Sequence, residues 1–217
     1  MQLRRLLFPV LMLCLMLASS AFADSVSMTY EGHHGAPALN GSPYVGYPYY
    51  FSINGTSSQV PLMCDSFDNG VVVGETFNAT AMPFLQGISN SMFGPGMILD
   101  YKAAGLIFES MLANNLNRNT AQWAIWGLFS SSAFNSSYFQ SHPVFYWVEQ
   151  TYLNLASVAP NSAYNGLVLY TPSNARPAFG PQEYIGFSTV PEPGSLLLFG
   201  TGLAGVAGAI RRRLARA

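Results

Sequence analysis

Cysteine and histidine are the side chains of this sequence best suited to covalent or metal chemistry, and they are few. The chain has two cysteines and three histidines. Cys14 lies in an N-terminal apolar run that we predict to be removed, so Cys64 is the one thiol expected in the mature chain and an intrachain disulfide is excluded. Such a thiol in an exported protein is buried as a small apolar side chain, paired between chains, or used chemically. Residue type alone favours burial and leaves the other two explanations open.

The sequence predicts no metal site, no cofactor and no catalytic residue. His33 and His34 are adjacent, but no third ligand stands at a characteristic spacing. The segment 65–70 has the acidic and amide side chains of a calcium loop, but Phe67 occupies its third position, where a ligand is required. A β-turn explains that segment better. Because hydrolase and phosphate-loop motifs are also missing, we expect that the protein is not an enzyme.

Gln122 draws attention through its surroundings. It lies in the segment TAQWAIW, residues 120–126, in the first turn of a predicted helix that follows the predicted strand carrying Cys64. A strand cysteine followed by a helical glutamine ahead of aromatic and aliphatic residues resembles the surface thioester domains of Gram-positive adhesins. The resemblance implies that the thiol displaces ammonia from the glutamine amide and forms an internal Cys64–Gln122 thioester. The alternative is that Trp123 and Trp126, three residues apart, belong to an ordinary core.

The physical chemistry of a helix start suits such a bond. Free backbone N–H groups in the first turn are expected to stabilise the negative charge that develops on the glutamine oxygen. Trp123, Trp126 and Phe129 are expected to keep water away from the ester until a surface amine or hydroxyl ligand arrives.

The N-terminal residues have the pattern of a cleavable secretion signal. Arg4 and Arg5 precede an apolar run over residues 6–17, and Ala21-Phe22-Ala23 supplies the small residues of a cleavage site. The apolar run is too short for a comfortable membrane span. The signal peptide is therefore predicted over residues 1–23, with Asp24 as the first residue of the mature chain.

The C-terminus combines a short motif, an apolar stretch and a basic cluster. Residues 195–210 carry no charge and predict a transmembrane helix, short but usable because the arginines after it can reach the interface. Those arginines predict that the end of the chain lies in the cytoplasm and the preceding part outside. The residues of this sorting element are Pro191, Glu192, Pro193, Arg211, Arg212 and Arg213.

This ending resembles the PEP-CTERM sorting signal of Gram-negative bacteria, over residues 190–217. The resemblance implies processing by an exosortase, a membrane enzyme with a cysteine nucleophile. It also implies a link to exopolysaccharide and biofilm-forming envelopes. The protein is thus expected to be exported and anchored in the membrane by its C-terminal helix, or released to the cell surface or matrix after processing. The C-terminal sorting signal does not indicate what the ectodomain binds.

The net charge of the predicted exported part indicates which classes of partner suit it. Residues 24–190 contain three basic and nine acidic side chains, which gives a formal net charge of −6. Nucleic acid is an unsuitable partner for such a surface, since binding to phosphates needs clustered lysine and arginine. Carbohydrate suits the abundant tyrosines and sparse charges, although composition alone equally fits a solvated polar surface.

Hydrophobic periodicity predicts strands first and helices later. Strands are predicted at residues 25–31, 49–53, 59–67, 71–77, 166–170 and 184–187, and helices over about 100–112, 120–129 and 142–155. The expected fold class is α+β, an antiparallel sheet with a three-helix insertion and a C-terminal transmembrane helix. The predicted organisation is signal peptide 1–23, ectodomain 24–180, tether 181–194, transmembrane helix 195–210 and basic cytoplasmic tail 211–217. The function expected for the ectodomain is a structural or interaction module, with the thioester adhesin as the alternative.

Overall fold

Alternating burial marks the strands from the first one onward. The computed structural model describes residues 23–34, 38–39 and 44–187, together with residues 202 and 205. In the first strand Val26, Met28 and Tyr30 are buried while their neighbours are not, the period of two of a sheet with one covered face. The strands are β1 (Asp24–Gly32), β2 (Tyr49–Ile53), β3 (Gln59–Cys64), β4 (Thr76–Pro83), β5 (Leu167–Pro172) and β6 (Tyr184–Phe187).

These six strands form a closed antiparallel barrel in the order β1-β2-β3-β6-β5-β4. A hairpin joins β2 to β3 through Asn54 and Gly55, whose positive φ angles of 53° and 67° match the twist of the flanking strands. The last strand, β6, pairs with β5 on one side and with β3 on the other. We call the β3–β6 pairing the closure seam; its paired residues are Met63 with Ile185 and Cys64 with Tyr184.

The helices are inserted between β4 and β5. They are α1 (Phe84–Gly87), α2 (Ile98–Leu112), α3 (Arg118–Phe129), α4 (Ser131–Phe134), α5 (Ser137–Gln140) and α6 (Pro143–Val158), with 3₁₀ turns at Ile88–Asn90, Pro95–Met97 and Asn161–Tyr164. The three long helices α2, α3 and α6 pack against one another. Asn117 caps α3, since its side-chain oxygen accepts a hydrogen bond from the Thr120 N–H at 2.9 Å.

Two apolar clusters form the core, and α3 contributes to both. The first fills the barrel with side chains such as Phe51, Leu62 and Tyr184 and receives Trp123 and Trp126 from α3. The second lies between the barrel wall and the helices and includes Ile107, Phe108, Leu169 and Ile185, with Ala121, Ala124 and Ile125 from α3. Gln122 is therefore held on a helix that is fixed on two faces.

The predicted fold class was wrong in its central feature. The sheet is not open, because β6 closes it against β3 into a barrel. The strand predicted over 71–77 was also wrong: Val72 and Val73 are 70% and 68% exposed in a turn, and the strand begins at Thr76. Two adjacent valines suggested a strand by propensity, but neither side chain has a surface to pack against.

The structure describes part of the predicted tether but almost none of the predicted signal peptide and transmembrane helix. β6 lies inside residues 181–194, the predicted tether, so the barrel extends to Phe187. The predicted signal peptide and the predicted transmembrane helix at 195–210 fall outside the described residues, apart from residues 23, 202 and 205. In the part of the chain that the structure describes, no helix has the length and apolar character needed to cross a membrane.

Candidate functional site

Cys64 lies at the closure seam, as the last residue of β3. Its side chain is completely buried, and its strand partner is Tyr184 of β6. The Cys64 Sγ donates a hydrogen bond to the carbonyl oxygen of Ser66 at 3.3 Å. The barrel closure therefore places the thiol in a dry interior.

Gln122 is completely buried, and both ends of its side-chain amide are hydrogen-bonded to backbone groups. Its Nε2 donates a hydrogen bond to the Cys64 carbonyl oxygen at 2.7 Å. Its Oε1 accepts a hydrogen bond from the Tyr47 backbone N–H at 3.0 Å. The structure thus brings together the two residues, 58 positions apart, that the sequence singled out. It also gives the oxygen a donor from the strap before β2, residues 44–48, rather than from the start of α3.

A glycine allows this strap to approach the site. A Cβ on Gly46 would lie 2.8 Å from Leu39 Cδ2 and 3.0 Å from Gln122 Cγ. Both distances are too short for an ordinary side chain, so the residue before Tyr47 needs to be small for the Tyr47 N–H to reach the Gln122 oxygen.

Burial governs the acidity of the thiol. It raises the pKa of Cys64 far above its ordinary value, and the neighbouring carboxyl of Asp65 raises it further. Hydrogen bonding to Ser66 and the nearby Trp126 side chain lower it in part. At neutral pH the thiol therefore carries its proton, and any bond from Sγ requires that proton to leave as the bond forms.

Two buried carboxyl groups lie near the thiol. Asp65 follows Cys64 in the sequence, and Glu183 lies across the closure seam; we call them the carboxyl pair. Glu183 accepts hydrogen bonds from Thr171 Oγ1 at 2.6 Å, from the Met92 N–H at 2.8 Å and from the Tyr101 hydroxyl. Burial raises the pKa of both carboxyl groups, and the charge of Glu183 raises that of Asp65 further. Since two adjacent carboxylates cannot both ionise in a dry interior, the pair holds a proton at neutral pH.

Aromatic rings surround the site as expected, with one difference. Trp123 and Trp126 are 5.3 Å apart, and Phe67 lies 5.2 Å from Trp126, measured between ring centroids. Phe129 instead packs against Phe93, at 4.9 Å, and Tyr101 on the side of the second core cluster. The water-excluding shell next to Cys64 thus contains Phe67, which the sequence did not single out.

The remaining candidate groups have other contacts. The His34 ring packs on Tyr50 with a centroid distance of 4.7 Å. The carboxyl group of Asp68 accepts a hydrogen bond from Ser130 Oγ at 2.5 Å. In the described ranges, no group of three histidine, cysteine or acidic side chains has an arrangement suited to a metal ion.

Sequence reasoning also missed Leu39, Tyr47 and Glu183. Tyr47 acts through its backbone, for which no residue pattern gives a signal. Glu183 did have one, because an acidic residue directly before the apolar pair Tyr184-Ile185 is unusual at the start of a buried strand.

Comparison with known protein families identifies the C-terminal end. Residues 189–213 match the family model of the PEP-CTERM protein-sorting motif. No curated protein and no solved structure matches the chain. The sorting residues Pro191, Glu192, Pro193, Arg211, Arg212 and Arg213 lie outside the described residues. The match supports an exported, surface-associated protein that is a target of exosortase.

Proposed function

We propose that the barrel domain is an interaction module displayed outside the cytoplasm and delivered there by exosortase processing of the tail. The PEP-CTERM motif at residues 189–213 is the observation that carries this proposal. In the proposed arrangement, the apolar segment 195–210 anchors the chain until the tail is processed, and the barrel is then kept at the surface or released to an exopolysaccharide matrix. The acidic charge of residues 24–190 suits contact with neutral or basic partners rather than with nucleic acid.

Loss of the motif tests this proposal. The triple variant Pro191→Ala, Glu192→Ala, Pro193→Ala is expressed in a cell that has an exosortase, and the intact mass of the exported form is measured in membrane and extracellular fractions. We expect the variant to keep its tail and stay with the membrane, while the wild type and the control variant Pro181→Ala lose the tail. Equal processing of triple variant and wild type would contradict the proposal.

We propose the covalent adhesin as a second candidate function, because of one contact. The Gln122 amide lies against Cys64 with a hydrogen bond of 2.7 Å in a site where both residues are completely buried. A buried amide held on the residue that carries the thiol is the starting arrangement that an internal thioester needs. The same contact also suits a structural glutamine that only joins α3 to the seam, so the chemistry has to be measured.

The proposed bond-forming step is balanced without any further reactant. The Cys64 Sγ bonds to the Gln122 side-chain carbonyl carbon, the bond from that carbon to Nε2 breaks, and the nitrogen leaves as ammonia with the thiol proton. Negative charge develops on Oε1 during the attack. The Tyr47 N–H, 3.0 Å from that oxygen, is placed to stabilise it.

Intact mass of the purified full-length chain distinguishes the two roles of Gln122. A thioester makes the protein one ammonia lighter than its sequence, and it removes Cys64 from reaction with an alkylating reagent after unfolding. We expect Cys64→Ala and Gln122→Ala to keep the full mass, while the control Gln140→Ala, at an exposed glutamine, loses ammonia like the wild type. A wild-type mass equal to its sequence, with Cys64 alkylated, would leave Gln122 with a structural role only.

A further inference from the structure

A cleft of about 390 Å³ opens beside the start of α3. Its lining includes Leu39 from the segment before β2, Thr120 from α3, and His142 and Phe145 from the start of α6. Gln122 lies two residues after Thr120 and is itself completely buried, so it does not reach the cleft. The cleft is therefore a solvent-accessible space close to the proposed thioester.

Leu39 is a neighbour of both the cleft and Gln122. Leu39 lines the cleft and is only 2% exposed. Its Cδ2 and the Gln122 Cγ lie 2.8 Å and 3.0 Å from one point, the position that a Cβ on Gly46 would occupy. The Leu39 side chain thus borders both the cleft and the Gln122 side chain.

The His142 ring, which lines the cleft, is held in place by two contacts. His142 Nδ1 lies 2.7 Å from the Tyr138 carbonyl oxygen, and its ring stacks on Phe145 at a centroid distance of 5.2 Å and an angle of 15°. Because a carbonyl oxygen only accepts, Nδ1 carries the hydrogen, and in the neutral ring Nε2 keeps its lone pair. The cleft is thereby suited to a ligand that brings an N–H or O–H group.

We propose that this cleft receives the ligand and that Leu39 determines which nucleophiles reach the thioester, an inference that rests on the proposed thioester. The ligand class is a primary amine or hydroxyl on an unbranched stem. In the transfer step the nucleophile bonds to the former Gln122 carbonyl carbon, the bond to Cys64 Sγ breaks, and the nucleophile's proton passes to the sulfur. The ligand is left on Gln122 as an amide or ester, and Cys64 is a thiol again.

Amines of increasing width test the role of Leu39. The purified full-length chain, with its thioester first verified by intact mass, is treated with methylamine and with the branched isobutylamine, and thiol release is followed. We expect the wild type to prefer methylamine. Leu39→Ala should raise the isobutylamine rate at least about tenfold relative to methylamine, which corresponds to ~1.4 kcal/mol in the barrier. His142→Phe keeps the stacked ring, and it should slow both amines equally.

The outcomes distinguish a failure of the proposed role of Leu39 from a failure of the proposed thioester. A wild-type chain that loses no ammonia overturns the thioester and the inference with it. A thioester that forms, with the same ratio of rates in Leu39→Ala and wild type, overturns the role of Leu39 alone. Leu39→Val is the second variant in case Leu39→Ala does not fold, and it should move the ratio in the same direction by less. The control Val158→Ala, at an exposed end of α6, should leave the ratio unchanged.

Discussion

Two buried glutamates of this protein are held in opposite ways. At the closure seam, Glu183 accepts hydrogen bonds from three groups, although the oxygens of the neighbouring Asp65 have no hydrogen-bond partner among the described residues. Between α3 and α6, Glu149 is only 3% exposed, yet its Oε1 has no hydrogen-bond partner among the described residues. That oxygen lies against Gly127, where a Cβ would be 1.8 Å away.

The difference shows what a buried acid contributes in each place. Glu183 joins β6 to α2, β5 and the turn at Met92, so its contacts hold distant parts of the chain around the seam. Glu149 makes no comparable connection through Oε1, and burial raises its pKa to about 8, with the charge of Asp100 adding to the effect. A satisfied buried group stabilises the fold, whereas an unsatisfied one lowers stability when it ionises.

Removal of Glu183 is expected to have the largest effect. Glu183→Ala leaves the Tyr101 and Thr171 hydroxyls and the Met92 N–H without their acceptor, and it should lower the free energy of unfolding by about 3–5 kcal/mol. Urea unfolding followed by circular dichroism measures this. Asp24→Asn, at an exposed acid, is the control and should change little. A loss below about 1 kcal/mol for Glu183→Ala would mean that the network does not hold the seam.

The raised pKa of Glu149 predicts that the free energy of unfolding depends on pH. Its pKa is about 8 in the folded protein and near 4.3 in an unfolded chain, so the folded state holds the proton more tightly. The stabilisation from the protonated group is complete below pH 4, decreases as the pH rises and is lost above pH 8. The total decrease in the free energy of unfolding is on the order of 3–5 kcal/mol for this one group. Glu149→Gln should flatten the curve of unfolding free energy between pH 5 and 9. If the variant and the wild type give parallel curves, Glu149 is not the group responsible.

Gly46→Ala sharpens the comparison at the seam. The added methyl group meets Leu39 and Gln122 at 2.8 Å and 3.0 Å, and we expect it to displace the strap at a cost of about 1–2 kcal/mol. Thermal unfolding measures the stability, and intact mass reports whether ammonia loss becomes slower as the Tyr47 N–H moves away. The exposed Gly70, which has open space around its Cα, provides the control Gly70→Ala. Equal melting temperatures for the two variants would show that the strap adapts without strain.

The smallest effect is expected at the exposed aromatic surface of α6. Trp147 is 71% exposed, and Trp147→Ser should change the free energy of unfolding by less than about 0.5 kcal/mol. The buried Trp123 gives the contrast, since Trp123→Ala should cost about 3–5 kcal/mol. Chemical unfolding of both variants provides the values. A large loss for Trp147→Ser would reveal a packing role that its exposure does not suggest.

Local signals in the sequence were sufficient for elements with a clear period or turn. β2 occurs at residues 49–53, where alternation and the Asn54-Gly55 turn predict it, and α6 begins at Pro143, which suits the first turn of a helix. The helix predicted from about residue 120 begins slightly earlier, at Arg118, because Asn117 provides the cap.

Closure of the barrel and the details of the site depend on contacts that no local pattern encodes. β6 has four residues, and the pairs that it forms with β3 join positions about 120 residues apart. The pairing of Cys64 with Gln122 as a candidate came from a resemblance between short segments, not from a period. The Tyr47 donor is a backbone group, and the choice of Leu39 as neighbour depends on the closeness that Gly46 permits.

The position of β6 at the end of the domain determines when the barrel is completed. During synthesis and export, β1, β2 and β3 emerge first and pair in chain order, and β4 then pairs with β1, but the open edge of β3 has to wait for residues 184–187. Throughout that interval the edge of β3 is available to other chains, and the Cys64 thiol is open to oxidants. A chain stopped before Tyr184 would remain in that state, because it lacks the strand that covers the edge of β3.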